Sequence, residues 1–219
     1  MPRGVFITFE GLDGSGKTTQ LRRLAEWLEA EQESIVVTRQ PGGTRIGDRI
    51  RTLLLDSRTE NLDSFAELGL MFSDRAQAIA EIIRPALDEG KIVLCDRFTD
   101  STEAYQGGGR ELGSEIVLSL HKSICGGLQP DVTFLLMPDF DASLKRARKR
   151  NTKALKQEGK DENRFEREND LFYRRVFEKY REIAAREPLR VIAIDGDATI
   201  EEIHERIVSV MKDHLARVR

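Results

Sequence analysis

The stretch GLDGSGKTT, residues 11–19, constrains this chain more than any other part of it. From Gly11 to Thr18 it fits G-x-x-x-x-G-K-[ST] in full, and it follows the apolar run Val5-Phe6-Ile7-Thr8-Phe9. A strand before and a helix after are the setting in which this pattern makes a phosphate-binding loop. Its glycines let successive backbone N–H groups turn into one concavity, and the helix that starts there adds the positive end of its dipole. Gly11, Leu12, Asp13, Gly14, Ser15, Gly16, Lys17, Thr18 and Thr19 are therefore candidate nucleotide-binding residues. Lys17 supplies a point charge for β and γ phosphates, and the Thr18 hydroxyl suits a Mg²⁺ ion.

The rest of the chain repeats the strand-then-helix order. Residues 5–9, 35–38, 92–95, 132–137 and 191–194 are short and almost wholly apolar, as strands buried on both faces of a parallel sheet are. Helical stripes lie between them: Leu21, Leu24, Ala25 and Leu28; Ile79, Ile82, Ile83 and Leu87; Ile200, Ile203, Ile207, Val210 and Met211. The alternation predicts a parallel α/β sandwich with right-handed crossovers. The third predicted strand runs into Asp96-Arg97. A carboxylate at the end of a neighbouring buried strand is where such a protein holds the metal, so Asp96 joins Thr18 as a metal candidate and ATP with Mg²⁺ is the expected ligand.

Bulk properties narrow the class. With 219 residues the chain is expected to form one domain, able to bury a core without staples. A net charge of −3 argues against a protein that binds nucleic acid backbones. Cys95 and Cys125 have neither disulfide-framework nor zinc spacing, which points to a reducing cytoplasm. No leader or membrane span is expected from the sequence. One segment breaks the pattern: 145–168, KRARKRNTKALKQEGKDENRFERE, is almost all charged or polar. It reads either as a solvated helix and loop or as a basic lid over phosphates.

Three classes use such a loop. A GTPase switch needs N-K-x-D and D-x-x-G, and the chain has neither. A motor-type ATPase carries an acidic pair where this chain has Asp96-Arg97. A small-molecule kinase needs arginine near the γ phosphate to hold an anionic acceptor, and Arg97 suits it because guanidinium grips phosphate with a bidentate fork. A nucleotide-binding switch and a kinase for another nucleoside monophosphate remain as alternatives.

The stretches FEGLDGSGKTTQ, TRQPGGTRIGDRIRTLLLD, MFSDRAQ and above all DRFTDSTEAYQGGGR resemble bacterial thymidylate kinases, from about residue 5 to the last helix. The resemblance implies the nucleoside-monophosphate kinase variant of the three-layer P-loop NTPase fold, with a five-stranded parallel sheet flanked by helices and a basic lid. It implies phosphorylation of dTMP to dTDP with ATP and Mg²⁺, in a homodimer. Lys17, Arg97 and Asp13 would serve the transfer, with Arg97 bridging acceptor phosphate and transferred group. Arg75 and Thr102 would read the two edges of thymine, and Tyr105 would pack against the deoxyribose. Pro41, Arg51, Met71, Phe72, Ser101 and Gln106 would complete the acceptor site. Family members without an arginine in the loop place basic residues in the lid, so Arg148, Lys149, Arg150 and Arg164 become candidates to reach the ATP phosphates. Glu166 would sit near the acceptor or its Mg²⁺. Three features depart from the family pattern: Gln40 stands where Glu is usual, Met71 rather than Phe72 has the spacing of the base-stacking ring, and 151–163 is long and Lys-rich.

Overall fold

All five apolar runs are strands: β1 (Val5–Glu10), β2 (Ile35–Arg39), β3 (Ile92–Asp96), β4 (Val132–Met137) and β5 (Val191–Asp195). They form one sheet of order β2-β3-β1-β4-β5, parallel at every pairing. The computed structural model describes residues 4–146, 164–165 and 168–218. β1 sits at the centre, so its carboxyl end and the loop after it lie between the ends of β3 and β4.

The strands are almost wholly apolar because both faces of the sheet are covered. Ile7, Phe9, Leu94, Phe134 and Leu136 face helix α1 (Lys17–Ala30) and the last helix, which meet them with Leu21, Leu24 and Leu28 and with Ile203, Ile207 and Met211. Phe6, Val93 and Cys95 point the other way, into Leu68, Phe72, Ile79 and Ile83. Side chains of a strand alternate between faces, so a mostly apolar run can serve two layers at once.

Helix α2 (Arg45–Leu55) starts where the Thr44 side chain accepts the Gly47 N–H at 2.8 Å. Helix α3 (Ser64–Ala78) starts where Asp63 accepts the N–H groups of Phe65 and Ala66. Such caps satisfy donors that have no partner within the helix. α3 runs through a π-helical turn (Ile79–Ile83) into α4 (Arg84–Asp88). The large apolar residues of α3 are mostly consumed by the core, with Phe65 exposed.

The Gly-rich segment after β3 is helical throughout, as α5 (Thr99–Thr102) and a π-helical stretch (Glu103–Gly109). Its glycines permit a close approach: a Cβ on Gly109 would lie 2.5 Å from Phe172, and one on Gly108 would lie 2.8 Å from Lys179. Both partners belong to α7 (Asp170–Arg186), which follows α6 (Ser114–Cys125) and precedes β5 and the last helix, α8 (Ile200–Val218). No described helix is long and apolar enough to cross a membrane.

Candidate active site

The phosphate-binding loop has the backbone that its glycines allow. Gly11 has φ 131° and Gly16 φ 100°, and a Cβ on Gly11 would meet the Leu136 carbonyl at 2.3 Å. Lys17 opens α1 and is 5% exposed. Its Nζ donates back to the carbonyls of Gly11 (2.9 Å) and Leu12 (2.8 Å). Burial, and next the Arg97 charge, draw its pKa down to about 8. An anion held in the loop would reverse that pressure. The Ser15 hydroxyl is buried without a partner among the described residues.

Thr18 and Asp96 meet as the spacing predicts: the Thr18 hydroxyl donates to Asp96 Oδ2 at 2.8 Å. Two hard oxygens side by side, one anionic, next to a phosphate-binding loop are a donor set that fits a hydrated divalent cation.

The loop opens into a cavity of about 1030 Å³. Asp13, Gly14, Ser15, Gly16, Lys17, Thr18 and Thr19 form one end of its wall, and Pro41, Met71, Arg75 and Thr102 form the other. Arg51, Asp96, Arg97, Ser101, Tyr105 and Gln106 also line it. Gly11 and Leu12 are buried behind the wall. Arg97 holds the middle. Its Nη2 donates to Asp13 Oδ1 at 2.9 Å, its Nη1 donates to Ser101 Oγ at 3.0 Å, and the guanidinium carbon lies 5.1 Å from the centre of the Tyr105 ring.

At the far end Arg75 is 2% exposed. Its Nε donates to Gln40 Oε1 (2.8 Å), and its Nη2 donates to Thr102 Oγ1 (2.9 Å) and the Phe98 carbonyl (3.1 Å). Phe72 and Phe98 present their rings to it, each at 5.2 Å. Among the described residues, Arg75 Nη1 and Gln40 Nε2 are buried donors without acceptors, and Gln106 Oε1 is a buried acceptor without a donor. An unmatched buried polar atom is costly, so such atoms on a cavity wall mark where a polar ligand belongs. The Gln40 departure is thus part of the wall, joined to Arg75 as a neutral partner. Arg51 Nη1 donates to the Pro41 carbonyl at 2.9 Å.

Two expectations need correction. Phe72 does not line the cavity; it is fully buried with Leu68, Ile79 and Phe98, and Met71 takes the wall position. Arg164 does not face the phosphate-binding loop. Its Nη2 donates to Glu67 Oε2 at 2.7 Å, its Nε donates to the Leu54 carbonyl, and it lines a separate, smaller pocket. The buried Glu67 carboxylate holds that guanidinium in a paired, hydrogen-bonded seat. Arg148, Lys149, Arg150 and Glu166 lie outside the described residues.

Other residues at the site carry no individual role in the sequence reading. Arg146 Nε donates to the Gly14 carbonyl at 2.9 Å, the one described contact of the basic segment with the loop. Glu10 is fully buried at the end of β1, and burial, reinforced by Asp100, pushes its pKa up to about 7. Asp74 accepts the Gly42 N–H at 2.8 Å, and burial raises its pKa to about 6. Glu10 precedes the loop directly in FEGLDG, which was the only signal for it.

The model of the family described as thymidylate kinase matches residues 9–207. A thymidylate kinase of Pelobacter propionicus is 48% identical over 206 residues, covering 94% of this chain and 93% of the relative. One of Desulfovibrio desulfuricans is 46% identical and covers 97% of each. The crystal structure of thymidylate kinase from Ehrlichia chaffeensis superposes with a TM-score of 0.76 at 34% identity, covering 96% of this chain and 99% of that one. With the loop, the paired Thr18 and Asp96, and Arg97 between the two ends of one cavity, these matches show that the chain belongs to the thymidylate kinase family.

Proposed function

We propose that this protein transfers the γ-phosphoryl group of ATP to dTMP, giving ADP and dTDP, with Mg²⁺ as the metal. The position of Arg97 carries this reading. It lies between a phosphate-binding loop and a polar slot, in contact with Asp13 on one side and the Tyr105 ring on the other. Transfer through a loose transition state needs positioning and charge neutralisation more than covalent help. Lys17 and the N–H groups of residues 11–19 hold the ATP phosphates. Thr18 and Asp96 hold the ion, which when bound neutralises charge on the phosphates. Arg97 grips the acceptor phosphate and the group in transit, with Asp13 fixing its orientation.

The acceptor lies toward Arg75. The free Arg75 Nη1 and Gln40 Nε2 call for base acceptors, and the free Gln106 Oε1 calls for an N–H. A pyrimidine-dione edge presents that mixture, whereas cytosine replaces a carbonyl acceptor with an amine donor, leaving wall groups unpaired. Tyr105, with Ser101 and Thr102 nearby, borders the sugar and disfavours a 2′-hydroxyl. Met71 and Pro41 supply apolar contact, and Arg51 lies within reach of the acceptor phosphate. Arg146, at Gly14, brings one basic side chain to the ATP end.

ADP release measured with ATP, Mg²⁺ and each monophosphate in turn tests the reading. Fast turnover with dTMP is expected, with little for ribothymidine monophosphate, dCMP or dGMP. Release that ignores the added acceptor would instead identify a nucleotide-binding switch.

A further inference from the structure

Beneath the phosphate-binding loop lies a carboxylate to which the transfer described above gives no task. Glu10 ends β1 with none of its surface exposed. Its Oε1 accepts the N–H groups of Phe98 (2.7 Å) and Ser101 (3.3 Å). Its Oε2 accepts the Ser101 hydroxyl and, at 3.0 Å, the Tyr180 hydroxyl. The same two hydroxyl oxygens accept Nη1 of Arg97, at 3.0 Å from Ser101 and 3.3 Å from Tyr180. Tyr180 is buried on α7 and forms no part of the cavity wall.

A hydroxyl carries one proton, and an arginine only donates. The two hydroxyl oxygens also lie 2.9 Å apart, close enough for one to donate to the other. When instead both give their protons to the ionised Oε2, both oxygens turn lone pairs toward Arg97. Arg97 also sits at φ 71°, a left-handed backbone that costs a residue with a Cβ. The bonds from Oε1 to the N–H groups of Phe98 and Ser101 hold that turn from below.

We propose that Glu10 and Tyr180 are positioning residues: with Ser101 they form a buried relay that fixes the proton direction of two hydroxyls and thereby the seat of the Arg97 guanidinium. The inference rests on Arg97 acting at the transferred phosphoryl group. A glutamine at position 10 breaks the relay in either orientation. With its NH₂ toward Phe98 and Ser101, donors face donors. With its NH₂ toward the hydroxyls, these must accept, and their displaced protons turn toward each other or toward Arg97. Because Tyr180 comes from α7, the relay also ties that helix to the reaction centre across the sheet end.

Steady-state kcat and KM of wild type, Glu10→Gln, Tyr180→Phe and the double variant, with thermal melts of the same preparations, test it. The expected kcat losses are about 10- to 100-fold for Glu10→Gln and about 10-fold for Tyr180→Phe, the scale of a small misplacement of a catalytic group. KM for ATP stays near wild type, and the double variant is no slower than Glu10→Gln alone, since residues acting as one unit are not additive. Wild-type kcat in folded Tyr180→Phe, multiplied losses in the double variant, or losses that follow only the unfolded fraction would overturn the relay. If Glu10→Gln fails to fold, Tyr180→Phe decides, because it removes one oxygen only. Arg97→Ala separates the two readings. Full activity there refutes the role of Arg97 itself, while a loss there with none in the relay variants refutes the relay alone.

Discussion

Single side chains at this site are defined by which partner lies within 3 Å, and similar residues end in different places. Arg75, Arg97 and Arg164 are all largely buried, yet one ends on an amide and a hydroxyl, one on Asp13 and one on Glu67. Arg97 is the one that touches the phosphate-binding loop through Asp13 and, on its other side, the Tyr105 ring, which is the acceptor side in the proposed function. Its replacement by alanine is expected to lower kcat by about 10³, as loss of an arginine at a transferred phosphoryl group does. Stopped or coupled ADP-release assays at saturating ATP and dTMP read this directly. Of the residues singled out from motifs, Lys17, Thr18, Asp96, Arg97, Arg75 and Tyr105 come together on one cavity wall. Phe72 and Arg164 do not, because a core position and a buried carboxylate claim them first.

Elements place these side chains, and two features of the elements can be tested apart from activity. The glycines of the helical segment after β3 let α7 pack against it. A methyl group on Gly109 would sit 2.5 Å from Phe172 and 2.9 Å from Val176. Gly109→Ala is expected to cost about 1–3 kcal/mol, the range for overpacking, read as a lower denaturant midpoint. On the other side of that segment, His121 is buried on α6, its Nδ1 2.9 Å from Thr99 Oγ1. Burial, and next the Arg75 charge, push its pKa from 6.5 down to about 4. The unfolded chain therefore binds a proton near pH 6.5 and the folded chain near pH 4. Stability from this group is complete above pH 6.5 and falls as pH drops toward 4, by up to about 3 kcal/mol. Urea melts across that window should slope less for His121→Gln than for wild type.

In the proposed function the molecule as a whole joins two binding ends in one cavity. Ligands at either end stabilise the folded state by mass action, by about 3 kcal/mol at a hundred times the dissociation constant. Differential scanning fluorimetry is expected to show a higher Tm with dTMP and a smaller shift with the ribose counterpart at equal concentration. One cooperative unfolding transition over 1–219 is expected for a single domain, and equal calorimetric and van't Hoff enthalpies would establish it.

The sequence by itself determined the sheet and the loop. Strands 5–9, 35–38, 92–95, 132–137 and 191–194 all form, four of them one residue longer than expected at the carboxyl end. The reason is local: continuous apolar runs declare burial on both faces, and the glycines of 11–16 declare a backbone that other residues avoid. Only the tertiary structure decided partner choice. Arg164 finds Glu67 across 97 residues, and Glu10 meets Tyr180 across 170. Arg146, among the described residues of the basic segment, reaches the Gly14 carbonyl across 132 residues. Ionic and hydrogen-bonding preferences are the same for every residue of a type. Which partner wins depends on distances that exist only after the sheet has brought distant segments together.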